Sequence, residues 1–152
     1  MADIIAPTDK PIGIASDHAG FTMKSYIISL FEEKGIPYKD FGTHSLDSTD
    51  YPDYAHPLAI AVEKGECYPG IALCGTGNGM NMALNKHQGI RAAICWTPEI
   101  GQLVKAHNNA NILVLPARFL TENEARDVLI EFLNTPFDGG RHQKRIDKIP
   151  CI

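Results

Sequence analysis

The segment that decides the fold is ALCGTGNGMNMALNK, Ala72–Lys86. It starts with the end of an apolar run, continues through a turn with three glycines in five residues, and ends in a segment of helical character. Glycine-rich turns between a strand and a helix commonly bind an anion, because their backbone N–H groups can converge on it. Cys74 stands at the start of this turn. The segment therefore predicts an anion site with a thiol at its edge.

Predicted strands and helices alternate on both sides of this turn. Apolar residues recur at helical spacing in four segments: 23–31, 55–62, 100–107 and 125–133. Five further segments are predicted as strands: 11–16, 37–42, 70–74, 89–96 and 111–116. Strands of this mainly continuous apolar type, joined through helices, indicate a parallel sheet that is buried on both faces. The predicted fold is a doubly wound, Rossmann-like α/β/α sandwich with a five-stranded parallel sheet.

The two ends of the chain differ from this alternating pattern. Residues 1–10 are predicted to be a flexible extension, and residues 11–152 to form a single domain. Near the other end, Thr121 and Glu124 form a capping-box pattern that predicts the start of a helix. The tail GGRHQKRIDKI, residues 139–149, is predicted to form a last, strongly basic helix.

The composition limits the classes of protein to which the chain can belong. A net charge of −4 and an isoelectric point near 5.8 argue against general binding to nucleic acid or to anionic membranes. No apolar run approaches 18 residues, and the first residues do not resemble a secretory signal. The four cysteines show no metal-ligand spacing, so we expect reduced thiols and a cytoplasmic location.

Three polar segments follow predicted strands: SDHAG after the first, CGTGNG after the third and WTPE after the fourth. Ligands of doubly wound folds bind beyond the carboxyl ends of the strands. We therefore expect the three segments to meet in one crevice.

The glycine turn does not match the common nucleotide-binding patterns. A dinucleotide fingerprint needs a glycine or alanine where this chain has Met80, and a P-loop needs a following GK[ST]. The turn can still stabilise a developing anion such as an enediolate, an effect typically worth about 3 kcal/mol per donor. The same amides would favour the thiolate of Cys74. The alternative is that Cys74 is a small buried apolar residue, as we expect for Cys95.

Two histidines are further candidates, each with a simpler interpretation. Asp17 and His18 could transfer protons and bind an anion, or Asp17 could only cap the next helix beside an uninvolved histidine. His107 is in register with the apolar face of its helix, which is typical of a core histidine. It also ends that helix before a polar cluster, where it could titrate near neutral pH.

The basic tail is the least ordinary of these signals. Arg141 and Arg145 are four residues apart, so a helix would place both on one face, where the like charges repel. Such a face is often only solvated, but a bound phosphate would neutralise it through bidentate hydrogen bonds. Arg118, after the fifth predicted strand, could join them.

Five motifs, in this order, carry a family resemblance: SDHAG, DYPDYA, CGTGNGM, HNNANIL and GGRHQKRID. Together they resemble ribose-5-phosphate isomerase of type B, over residues 12–149. Galactose-6-phosphate isomerase subunits and allose-6-phosphate isomerases share this fold. The resemblance implies an aldose–ketose isomerase that uses no metal and no other cofactor, and a homodimer whose active sites are shared between subunits.

The resemblance also implies roles for the residues of the turn. Cys74 corresponds to the base that moves a proton between C2 and C1 of the open-chain sugar. Some members carry a glutamate four or five residues later instead, but this chain has Asn78 and Gly79 there. Thr76 corresponds to a residue that hydrogen-bonds the substrate oxygens. The amides implied to hold the enediolate belong to Gly75, Gly77, Asn78 and Gly79.

Further roles are implied outside the turn. His107, with Asp17, corresponds to the pair that opens the furanose ring, and Tyr51 and Asn108 correspond to contacts with sugar hydroxyls. The residues implied to bind the phosphate are His18, Arg118, Arg141 and Arg145, with the two tail arginines supplied by the partner subunit.

Three alternatives stay open at the level of sequence. The first keeps the reaction but takes a six-carbon sugar phosphate as the substrate. The second is a nucleotide- or sugar-phosphate-binding module without catalysis, in which Cys74 is inert. The third, a thiol redox protein, is disfavoured because no resolving cysteine lies next to Cys74.

Overall fold

The structure, a computed structural model, describes residues 2–152 as a sheet of five strands with six helices. The strands are β1 (Ile12–Ser16), β2 (Tyr38–Asp40), β3 (Gly70–Cys74), β4 (Ala92–Ile94) and β5 (Ile112–Pro116). The helices are α1 (Phe21–Glu33), α2 (Pro52–Glu63), α3 (Asn78–Leu84), α4 (Pro98–Ala106), α5 (Glu122–Asn134) and α6 (Arg141–Ile146). Thr121 and Glu124 form the predicted capping box at the start of α5, and α6 is the predicted basic helix.

All strand pairs are parallel, in the order β2-β1-β3-β5-β4. From β1 the chain first moves outward to β2 and then crosses to β3 on the other side of β1. The gap between the carboxyl ends of β1 and β3 is therefore the switch point at which such sheets bind ligands. The predicted fold class is confirmed.

The helices pack on both faces of the sheet and form two apolar cores. On one face, α1 and α5 contribute fully buried residues that include Phe31 and Phe132, and α4 packs against them. On the other face, α2 and α3 contribute Leu58, Met80 and Leu84. The central strands β1, β3 and β5 are buried at every position, as their continuous apolar sequences predict.

The fourth strand, predicted as residues 89–96, spans only Ala92–Ile94, and one asparagine side chain explains where it begins. The amide of Asn111 accepts a hydrogen bond from Arg91 N at 2.8 Å and donates one to Gly89 O at 2.9 Å. A side chain thus satisfies backbone groups before Ala92 that a longer strand would pair with β5. The amide of Asn85 donates to Ala92 O and accepts from Ala92 N, and so occupies the groups of β4 that face outward at the edge of the sheet.

The described part of the N-terminal extension, residues 2–10, contains no helix or strand but touches the domain. Ile4 is buried in the core on the α5 side, and Asp3 forms an ion pair with Lys34 at 2.8 Å. The amide of Asn134 donates to Asp3 O at 2.8 Å. The flexibility expected for residues 1–10 stays a prediction, and Met1 lies outside the described residues. Within residues 2–152, no helix is both long and apolar enough to cross a membrane.

Candidate active site

The glycine turn leads from the end of β3 at Cys74 to the start of α3 at Asn78. Gly77 immediately precedes α3 with φ of +81°, a conformation that side chains disfavour. A Cβ at Gly77 would also lie 3.3 Å from a methyl carbon of Val114. The backbone conformation therefore favours glycine at this position, and a side chain would also have to displace Val114 slightly.

The turn presents several free hydrogen-bond donors. The Thr76 hydroxyl accepts from Asn78 N at 3.2 Å. The N–H groups of Thr76, Gly77 and Gly79, in contrast, donate to no acceptor within residues 2–152. Because α3 has only seven residues, these amides supply most of the local positive field and the helix dipole adds little. The arrangement has the donors that the predicted anion site requires.

The cysteines occupy different environments. Cys74 is 5% exposed, at the carboxyl end of β3 and next to the free amides. Cys95 is fully buried, and burial raises the pKa of its thiol to about 12. Burial also raises the pKa of the Cys67 thiol. Cys95 is thus the buried apolar residue that the sequence predicted, and Cys74 is the buried cysteine that adjoins the turn.

Asp17 and His18 lie at the carboxyl end of β1, beside the turn. Asp17 Oδ1 accepts from Gly20 N at 3.1 Å, which is the capping interaction considered as the simpler interpretation. His18 Nδ1 accepts from Thr49 N at 3.1 Å, and His18 N donates to Thr49 Oγ1 at 3.2 Å. A neutral His18 therefore carries its proton on Nε2, which is free to donate. Sequence reasoning missed Thr49, for which no motif or spacing gave a signal.

Two side chains flank the turn, and its glycines let them approach. A Cβ at Gly79 would lie 2.6 Å from Tyr51 Cζ, so the ring rests directly on the backbone there. A Cβ at Gly75 would lie 3.3 Å from Arg118 Cδ, and Arg118 N donates to Gly75 O at 3.0 Å. A phenol and a guanidinium thus border the free amides.

The predicted WTPE segment also reaches the turn. Trp96 lines, together with Thr76 and Asn78, an open cavity of about 630 Å³. The SDHAG and CGTGNG segments adjoin because β1 and β3 are neighbours. WTPE approaches from the other side, since β5 separates β4 from β3.

The remaining candidates form a second group around the end of α4. His107 stacks on His142 with ring centroids 4.5 Å apart and ring planes 15° apart. Both histidines line a cavity of about 440 Å³ with Asn108 and Arg145, and Arg141 begins α6 beside them. Partial desolvation, followed by the nearby charges of His107 and Arg141, lowers the pKa of His142. His142 had no assigned role, although its place beside Arg141 in the basic tail was a usable signal.

The glycine turn lies at the carboxyl ends of the strands, and the His107 group lies near their amino ends. Cys74 is in register with Pro116 at the carboxyl end of β5, whereas His107 precedes the start of β5 at Ile112. At roughly 3.3 Å per residue, the four steps from Ile112 to Pro116 along β5 span about 13 Å. A single chain therefore keeps His107 apart from both Cys74 and Asp17.

One group of side chains has the composition of a metal site. The ligand atoms of His107, Asp138 and His142 all lie within 4.8 Å of one another. The imidazole lone pairs lie in the ring planes, however, and nearly parallel stacked rings hold those lone pairs in separate, nearly parallel planes that do not converge on one point between the rings. The three residues would have to rearrange before they could share an ion.

Comparisons with known proteins agree with this geometry. A sequence model described as Ribose/Galactose Isomerase matches residues 12–149. Ribose-5-phosphate isomerase B of Escherichia coli (strain K12) is 41% identical over 143 residues, which are 94% of this chain and 96% of that protein. A probable ribose-5-phosphate isomerase B of Mycoplasma pneumoniae is 43% identical over 142 residues, 93% of each chain.

Solved structures give the same result. A ribose 5-phosphate isomerase from Thermotoga maritima superposes with a TM-score of 0.92 at 48% identity, covering 94% of this chain and 99% of that one. Ribose-5-phosphate isomerase B from Mycoplasma genitalium, solved with bound ribulose-5-phosphate, has a TM-score of 0.87 at 42% identity and covers 91% and 93%. The chain therefore belongs to the Ribose/Galactose Isomerase family.

Proposed function

We propose that this protein is an aldose–ketose isomerase that interconverts D-ribose 5-phosphate and D-ribulose 5-phosphate, with Cys74 as the base. The observation that carries the proposal is the position of Cys74 beside three backbone amides that have no acceptor within residues 2–152. Membership of the family and the relatives named as ribose-5-phosphate isomerase B support the reaction and the substrate.

The chemistry needs one base and one anion site. The Cys74 thiolate removes the proton from C2 of the open-chain aldose, and the C1 carbonyl oxygen becomes negatively charged. The amides of Thr76, Gly77 and Gly79 stabilise this enediolate, while the Thr76 hydroxyl assists the proton shift from O2 to O1. Cys74 then returns its proton to C1. A general base and an oxyanion site together supply roughly 5 to 9 kcal/mol of barrier reduction.

The second group of residues acts, in this proposal, from the partner subunit of a homodimer. The separation of His107 from Cys74 within one chain supports this arrangement, because each group alone lacks half of the required chemistry. A two-fold axis would place the partner's His107 and Asn108 over the sugar, where His107 would open the ring with Asp17. The phosphate would meet His18 and Arg118 of one subunit and Arg141 and Arg145 of the other.

We also place the enzyme in the cytoplasm, where its four unpaired cysteines would stay reduced. The partners in the proposal are the sugar phosphate and a second copy of the chain. Nucleic acid and membranes are not among them, in keeping with the net charge of −4.

The test is formation of ribulose 5-phosphate from ribose 5-phosphate by the purified protein, with Cys74→Ala beside it. Turnover in the wild type and its loss in Cys74→Ala, with ribose 5-phosphate still bound in calorimetry, is the expected result. Cys67→Ala is the matched control, since Cys67 is buried in the same core but is remote from the turn. Unchanged turnover in Cys74→Ala would exclude this thiol as the base.

The same assay covers the six-carbon alternative. Allose 6-phosphate and galactose 6-phosphate are offered in parallel, and we expect kcat/KM to be highest for ribose 5-phosphate. A higher kcat/KM for either hexose phosphate would identify that hexose phosphate as the preferred substrate. Binding of ribose 5-phosphate without any turnover would favour the non-catalytic binding module.

A further inference from the structure

An open cavity of about 500 Å³ lies between the N-terminal extension and the segment that follows α5. Residues 5–8 form one wall, and residues 133–137 form another. Its volume is in the range of small-molecule sites. The family match begins at residue 12, so the wall formed by residues 5–8 lies outside the part of the chain that the family model describes.

The polar end of this cavity holds a buried lysine without a carboxylate partner. Lys105 is 4% exposed, and its Nζ donates to the hydroxyl of Tyr68 at 2.7 Å. Nζ also lies 5.0 Å from the ring centroid of Tyr68 and 5.4 Å from that of Phe132. Within residues 2–152, no carboxylate oxygen lies within 4.0 Å of this ammonium. Of its three N–H donors, protein contacts there account for one.

Lys24, which is also buried, has the carboxylate partner that Lys105 lacks within residues 2–152. Lys24 is 1% exposed, and its Nζ contacts Asp40 Oδ1 at 2.6 Å, so its charge is neutralised. A buried ammonium without a counter-ion costs several kcal/mol even after relaxation, and the two aromatic rings offset only part of that cost. Lys105 therefore has both the charge and the free donors to hold an anion.

We propose that this cavity binds a small organic monocarboxylate with an apolar body. Lys105 is the only charged side chain among the described residues that line the cavity, so one negative charge matches it there, whereas a phosphate dianion would add a second negative charge to a largely apolar cavity. The Tyr68 hydroxyl accepts from Lys105, so its own hydrogen is free to donate to the same carboxylate. No acidic side chain is among the described residues that line the cavity. The apolar body would contact Ile5, Leu133 and Phe137.

Calorimetric titration with benzoate and with neutral benzamide tests the charge requirement. We expect benzoate to bind the wild type at least tenfold more tightly than benzamide does. Lys105→Met, which keeps the length of the side chain and removes the charge, should weaken benzoate binding at least tenfold. Lys64→Met, at an exposed residue that does not line the cavity, is the matched control and should leave benzoate binding unchanged. Tyr68→Phe keeps the charge and should weaken binding by a smaller factor.

Amide NMR spectra of the same samples locate the ligand and report whether each variant is folded. Benzoate should shift the amide signals of Thr8, Asn109 and Phe137. Equal affinity for benzoate and benzamide, or full binding by folded Lys105→Met, would overturn the proposal. Benzoate shifts confined to Arg141 and Arg145 would do so as well, as would tighter binding of inorganic phosphate at the cavity. If Lys105→Met does not fold, Tyr68→Phe and the wild type provide the test. Unchanged benzoate affinity in Tyr68→Phe, together with no benzoate-induced amide shifts at the cavity of the wild type, would overturn the proposal. The readout is binding and not turnover, so the outcome is independent of the proposed isomerase activity.

Discussion

Gly79 sets how closely the Tyr51 ring can approach the glycine turn. A methyl group there would lie 2.6 Å from Tyr51 Cζ, and Tyr51 is 38% exposed, so the ring can move outward without unfolding the protein. If Tyr51 contacts the sugar hydroxyls, as the family resemblance implies, Gly79→Ala should lower kcat/KM roughly tenfold, because it would displace that contact. The free energy of unfolding should change little.

A double-mutant cycle with Tyr51→Ala checks this explanation. Once the ring is removed, the clash is gone, so adding Gly79→Ala to Tyr51→Ala should cause no further loss of kcat/KM. If the two losses simply multiply, Gly79 acts through the backbone of the turn and not through Tyr51.

His142 reports the electrostatics of the basic group. Partial desolvation, His107 and Arg141 lower its pKa, so the ring is mainly neutral at pH 7. A bound phosphate dianion favours the protonated ring, so inorganic phosphate should raise the pKa of His142 and cause proton uptake. Arg141→Ala should raise this pKa in the free protein, because it removes a positive neighbour. An NMR pH titration measures both changes.

The titration is carried out at constant ionic strength, so that phosphate acts on His142 by binding and not by screening. A fall in the pKa of His142 on phosphate addition would contradict binding at this group.

At the scale of elements, α1 is tied to β2 by the ion pair of Lys24 and Asp40. Asp40→Asn leaves the Lys24 ammonium buried and unpaired, so we expect it to lower the free energy of unfolding by about 3 kcal/mol. Lys24→Met, which removes the charge and fills the same space, should cost less. Urea unfolding at one fixed protein concentration compares them.

The exposed pair of Lys34 and Asp3 is the matched control. Both side chains are about half exposed, so Asp3→Asn should lower the free energy of unfolding much less than Asp40→Asn does. If Asp3→Asn and Asp40→Asn lower the free energy of unfolding equally, burial of Lys24 does not explain the contribution of its ion pair to stability.

The strands whose bounds the sequence predicted most closely are those with a uniform environment along their length. β3 and β5 are buried at every position, so an unbroken apolar run identified them. The start of β4 depends on the side chain of Asn111, which no local pattern reveals. The bond between His18 and Thr49 also joins residues 31 positions apart, so only the fold brings them together.

In the candidate site, too, the features with a local sequence pattern were predicted and those that depend on the fold were not. The glycine turn and Cys74 were predicted in place because a strand end followed by glycines is a local pattern. The separation of His107 from Cys74 was not predicted, although it follows from the parallel pairing of β4 and β5. The helix α4 begins after the carboxyl end of β4 and returns along the sheet, so His107 at its end lies near the amino end of β5.

At the scale of the whole molecule, the two groups matter because neither can complete the proposed chemistry alone. In a two-fold dimer, each active site would combine the glycine turn of one subunit with the His107 group of the other, and the dimer would hold two such sites. A site of this kind has a consequence that no single-chain site shares: two inactive variants can restore each other.

Refolding an equimolar mixture of Cys74→Ala and His107→Ala, with the residual turnover of each variant measured alone and subtracted, tests this arrangement. In the mixed dimer, one site carries both defects and the other carries none. With random pairing, half the dimers are mixed, so activity should recover to roughly a quarter of the wild-type value. Cys74→Ala refolded with Thr76→Ala is the control: both residues belong to the glycine turn, so every site stays defective and no activity should return. Failure of the first mixture to recover, with mixed dimers shown to form, would place each complete site within one chain and would require His107 to act elsewhere.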